Sequence, residues 1–138
     1  KGWIKIVEAF VGILLLAGVV LVVISKGEEK ADISPAVQNT EVSILREIEL
    51  NNTLRAEILA TNGIVDWIAL SSQATNTKTK IQSRIPNYLN CEAQICDPSG
   101  SCLLTGAQRD NVYVESIMIT STLDTFKPRM LKLFCWEK

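Results

Sequence analysis

Residues 9–25, AFVGILLLAGVVLVVIS, form an uncharged and almost wholly apolar run of 17 residues, preceded by Lys1, Lys5 and Glu8 and closed by Lys26. As a helix this run is about 26 Å long at the usual rise per residue. With Trp3, Ile4, Ile6 and Val7 added it is long enough to cross a bilayer. A stretch this apolar needs surroundings as dry as hydrocarbon. The chain therefore divides into a hydrophobic helix at 1–26, a linker at 27–34 and a globular head at 35–138.

The head offers little to a nucleic acid. Setting aside Lys1, Lys5, Lys26 and Glu8 leaves 11 basic and 14 acidic side chains, and no cationic footprint. There is no histidine, which removes imidazole-ligated haem, most zinc catalysis and every Ser-His or Cys-His nucleophile system. No catalytic constellation converges, so the expectation is a non-enzyme that needs no cofactor. Asp97, Asp110 and Asp124 lack the spacing of a calcium loop.

Four cysteines, Cys91, Cys96, Cys102 and Cys135, lie in the last third of the chain. An even number behind a translocating segment points to two disulfides in an oxidising space. A four-thiolate zinc site is disfavoured because no C-x2-C knuckle is present, so no metal is expected. The basic residues flanking the apolar run balance, Lys1 and Lys5 against Lys26 and Lys30, and leave orientation open. The cysteines decide it: the head belongs outside the cytoplasm. Val22 to Lys26 lacks a small-residue cleavage motif, so the helix is expected to be retained.

Glu8 admits two interpretations. It can rest among lipid headgroups and pair with Lys5 three residues earlier, for a few tenths of a kcal/mol. Alternatively it is buried among packed helices and neutralised by Lys1, Lys5 or a neighbouring amino terminus. An isolated charge in hydrocarbon costs on the order of 3 kcal/mol or more, so a buried Glu8 requires a partner. A partner supplied by another chain would set the register between subunits, as a polar core residue does in a coiled coil.

Lys1-Gly2, a mostly apolar stretch, one early glutamate and a Gly-punctuated aliphatic helix resemble the amino terminus of a type IV pilin. KGWIKIVEAF over residues 1–10, SILREIELN over 43–51 and LKLFCW over 131–136 are similar to pilin-like proteins of small archaea. The resemblance implies a membrane peptidase cutting after Gly2, with Glu8 sixth in the processed chain. It also implies assembly of copies into a helical homopolymer by a dedicated pilus machinery, the membrane holding only the precursor. The expected product is a cell-surface filament serving adhesion or cell contact. Trp3, Lys5 and Glu8 would carry assembly, and Gly12 and Gly18 would permit close helix approach.

Energetics suit that class. Lipid tails and packed aliphatic side chains are about equally apolar, so moving the helix from bilayer to filament core costs little. Moving it into water would expose nine large aliphatic residues among Leu14–Ile24, at roughly 1.5–3 kcal/mol each. The rival is a monomeric signal-anchored protein whose head binds a partner at the membrane. A second rival is an extracytoplasmic thiol enzyme using Cys91 or Cys96.

In the head, Gly27 suits the end of the first helix, and Glu28 to Ile33 is a polar joint. Ser34-Pro35 reads as N-cap and first-turn proline of a second helix. Its apolar stripe is Val37, Ile44, Leu45 and Ile48, opposite Glu41 and Glu47. A short third helix is expected over 54–61, capped near Asn51-Asn52-Thr53 and stopped by Asn62-Gly63. That tripeptide is also the only N-x-S/T sequon, making Asn51 a candidate glycosylation site. Val65 to Leu70 is an apolar patch expected against the sheet, and Thr75 to Arg84 is polar with one or two helical turns. From about 88 to 136 the pattern is β, giving an α+β fold with an antiparallel sheet. Leu89, Cys91, Ala93 and Ile95 alternate with polar residues. Asp97 to Gly100 is a turn, with Cys102 to Leu104 as a short return strand. Val112 to Ser121 shifts apolar phase, which suggests a bulge, and Met130 to Trp136 is the last strand. Three disulfide pairings are possible; the alternation favours Cys91–Cys135 and Cys96–Cys102.

Overall fold

A computed structural model describes residues 2–26, 32–104, 111–120 and 126–138. Lys1, Gly27, Asp110, Asp124 and most of the linker lie outside that set. The chain forms two compact units, Lys1–Ile33 and Ser34–Lys138. The first contains one helix, α1 (Trp3–Lys26), and the second is an α+β head.

The head opens with α2 (Ser34–Leu50), whose buried positions are Val37, Glu41, Ile44, Leu45 and Ile48. Each lies three or four residues from another of the set, the spacing of a single helical face. Glu41 is therefore part of the apolar stripe and not opposite it, and is 1% exposed. Ser34 lies inside the first turn, where its hydroxyl donates to the Tyr113 hydroxyl at 3.4 Å.

Helix α3 (Asn52–Leu59) starts at Asn51, whose side-chain oxygen accepts from the amides of Thr53 and Leu54 at 3.0 and 3.2 Å. After α3 the chain turns through Gly63 at φ +67°, a backbone conformation that suits glycine. The apolar patch that follows is split. Val65 and Leu70 are buried, whereas Ile64 and Ile68 are exposed. A single turn, α4 (Leu70–Gln73), leads to α5 (Thr75–Arg84), a full helix where one or two turns were expected. Sequence pattern understates α5 because its support is tertiary. Glu57 of α3 accepts from the backbone and side chains of Asn76 and Thr77 at 2.6–3.2 Å, capping α5 from another element. At the other end Arg84 and Lys80 hold Glu47 of α2, at 2.9 and 2.5 Å. Their hydrogen bonds lower the Glu47 carboxyl from 4.5 to about 2.

The sheet consists of β1 (Leu89–Cys96), β2 (Tyr113–Ile119) and β3 (Arg129–Glu137) in the order β1-β3-β2, all antiparallel. Leu131, Leu133 and Cys135 of the central strand share a face with Leu89, Cys91, Ala93 and Ile95 of β1. Together with α2 they form the core. The β2–β3 register runs residue for residue from Tyr113↔Cys135 to Ile119↔Arg129, so β2 contains no bulge. The apparent phase shift has another cause. Val114 and Met118 stand on the more exposed side while Tyr113, Glu115 and Ile117 take the covered side. Nor do residues 102–104 form a return strand. Val65 already exchanges two backbone hydrogen bonds with Ile95 of β1, at 2.8 and 2.9 Å, and so occupies part of that edge.

Disulfides join Cys91 to Cys135 and Cys96 to Cys102, the pairs favoured by the alternation. Cys91 and Cys135 are directly opposed across β1 and β3. Cys96 is turned to the opposite face, where Cys102 meets it and its carbonyl accepts from Lys132 Nζ at 3.4 Å. Arg129, fully buried at the start of β3, pairs with Asp97 and donates to the Gly63 carbonyl, tying two turns to the sheet.

Loop closure predicts unequal worth for the two disulfides. They bridge separations of 44 and 6 residues, for about 4 and about 2 kcal/mol. Replacing each pair by alanines and measuring guanidinium unfolding should show the larger loss for Cys91/Cys135.

Candidate assembly surface

Ala, Leu, Ile and Val dominate α1, and charge is confined to its first turns and last residue, so the backbone has no reason to leave the helix before Lys26. Trp3–Ile24 is long and apolar enough to cross a membrane. Every side chain described from Trp3 to Ile24 is exposed in the single chain. Trp3 is 74% exposed and Leu16 69%, values opposite to those of a core helix. A contiguous apolar surface of this extent marks an interaction face or a lipid face.

The sequence-derived assembly residues fall on two sides of α1. At about 100° per residue, Lys5 and Gly12 lie within roughly 60° of Glu8 around the helix axis, whereas Trp3 and Gly18 lie on a different side. Among the described residues no ion pair joins Glu8 to Lys5. A Cβ added at Gly12 or Gly18 would meet nothing within 4 Å, so each is an open notch on the helix. Gly12 is one turn beyond Glu8 on the same side, which lets another helix approach next to the carboxylate. Gly2 precedes α1 and is exposed.

The head's candidate positions serve structure first. Asn51 caps α3 through its oxygen and is exposed, which leaves its amide nitrogen available to a glycan. Cys91 and Cys96, the sulfurs a thiol enzyme would need, are both in disulfides, and no free cysteine exists among the described residues. Asp97 is engaged by Arg129. Among the described residues no three histidine, cysteine, aspartate or glutamate side chains cluster to hold a metal. Glu41 is the residue that pattern reading misplaced, although the 37-41-44-48 spacing was there to find it.

No family model matches this chain, and neither a curated protein nor a solved structure does. The order of elements, a long apolar N-terminal helix followed by a small antiparallel sheet, is pilin-like in layout alone. The apolar helix together with two disulfides marks a secreted or membrane-anchored protein with its head outside the cytoplasm.

The two roles of Asn51 are separable. Asn51→Ala should lower head stability by about 1 kcal/mol through loss of the cap, whereas Asn51→Asp should leave it nearly unchanged. Both variants should abolish any glycan at this position, read as a mass difference between native and variant chains.

Proposed function

We propose that this chain is the structural subunit of a type IV pilus-like surface filament, polymerising through α1 and presenting its head for adhesion or cell contact. The observation that carries the proposal is an apolar helix exposed over its whole described length, with a glutamate and a small-residue notch on one side near its start. A lipid anchor explains the apolar length. It accommodates Glu8 only at headgroup depth beside Lys5, whereas a Glu8 buried among apolar surroundings needs a partner.

In a polymer the same features are useful. Neighbouring copies give α1 a dry environment in exchange for lipid, and a cation from another copy, Lys5 or an amino terminus, neutralises Glu8. Because partner and carboxylate meet in only one axial position, the pair selects register while the aliphatic surface supplies adhesion. In this proposal the precursor waits in the cytoplasmic membrane, a prepilin peptidase cuts after Gly2, and an assembly machinery extracts the helix. The part played by the chain is structural and not catalytic.

Glu8→Ala separates this proposal from a monomeric signal-anchored protein that binds a partner at the membrane. Electron microscopy of cell-surface material should show regular fibres from the native chain and a loss of at least tenfold in the variant. Membrane insertion of the precursor should be unchanged. Native material without fibres, or a variant that assembles normally, would contradict the proposal.

A further inference from the structure

Glu41 lies at the centre of the contact between α2 and the sheet and is 1% exposed. One of its carboxylate oxygens, Oε1, has no hydrogen-bond partner and no contact with solvent. The Cys135 backbone bonds the side chain from β3. On β2, Tyr113 and Glu115 take the covered side, and Gln38 of α2 donates to Glu115 Oε1 at 2.8 Å. The charged group that acts on Glu41 is thus another carboxylate, Glu115.

Of the cations around α2, Lys80, Arg84 and Lys132 are engaged elsewhere. Lys80 and Arg84 of α5 hold Glu47. Arg46 and Arg55 line the open groove of about 410 Å³ beside Glu49 and Glu115. Lys132 of β3 alternates to the opposite face of the sheet, where it bonds the Cys102 carbonyl. Glu57 of α3 is taken up by Asn76 and Thr77.

A buried oxygen without a protein donor cannot hold a negative charge cheaply, and here a second acid adds repulsion. We infer that Glu41 is a proton-operated latch: protonated, it lets α2 lie on the sheet, and ionised, it drives α2 to loosen. The direction of its titration agrees. Desolvation first, then Glu115, raise the carboxyl from 4.5 to about 7, against the lowering effect of the Cys135 bond. The folded head therefore holds a proton that the unfolded chain has released once the pH exceeds about 4.5. Stability falls as pH rises through that window and levels off above about 7. Each pH unit inside the window raises the opening equilibrium of α2 by roughly tenfold.

The latch lies wholly within the head, so its test does not require filaments. Hydrogen exchange of the full chain in detergent, followed for peptides covering 34–50 and 113–119 and corrected for intrinsic rates, reads α2 opening directly. Native protection should fall by roughly tenfold per unit between pH 5 and 7 and then flatten. Glu41→Gln, neutral and nearly isosteric, should show a flat profile. Glu115→Gln should move the midpoint to lower pH. A native profile that is flat, or the same in Glu41→Gln as in the native chain, would overturn the latch. Should Glu41→Gln fail to fold, a carbon-13 titration of the native Glu41 carboxyl decides. A midpoint near 7 supports the latch, and one near 4.5 refutes it.

Discussion

An apolar helix whose described side chains from Trp3 to Ile24 are all exposed is the constraint from which the rest follows. The second compact unit, Ser34–Lys138, has its own core built from α2 and the inner face of the sheet. The exposed surface of α1 needs dry surroundings: lipid, or, in the proposed filament, like helices. In the proposed filament, Glu8 selects the second. Apolar burial is indifferent to register, whereas a carboxylate that must find a cation is not. Together the two supply adhesion without direction and then direction without much adhesion, which is what a repeating polymer needs.

The head is held together for an oxidising setting outside the cytoplasm with a modest core. Cys91–Cys135 fastens the central strand to its neighbour, and Cys96–Cys102 fastens the following turn to the opposite face of the sheet. Arg129 ties two loops to the same strand through Asp97 and the Gly63 carbonyl. The polar helix α5 depends on Glu57 and Glu47, carboxylates supplied by two other helices. Thus α2 is the hub: it covers the sheet through Val37, Ile44 and Ile48 and holds α5 through Glu47. Any change in how α2 sits is felt on both sides of the head.

Much of this is legible in the amino-acid sequence. The apolar run, the period-2 alternation of β1 and β3, and the choice of disulfide partners all rest on local pattern, and local pattern is what a sequence displays most directly. The failures share a cause in tertiary context. Helix α5 is polar and was undervalued because its cap comes from Glu57, far away in sequence. The phase shift of β2 resembled a bulge because Glu115 occupies a covered position that patterning reserves for apolar residues. Glu41 was assigned to the exposed side of α2 on chemistry alone, although its spacing from Val37 and Leu45 placed it inside the stripe. The supposed return strand failed because Val65, about thirty residues upstream of Ile95, had already claimed that edge. On α1 the positions of Lys5, Glu8 and Gly12 are readable from helical geometry. Among the described residues no ion pair involves Glu8.

The most direct test is therefore what α1 touches. A photo-reactive amino acid placed at Val11 or Leu16, activated in detergent-free surface material, would covalently record the neighbour. The account predicts a ladder of multimers, with linked peptides mapping α1 of one copy to α1 of another. Adducts to lipid alone, with the protein remaining monomeric, would contradict it.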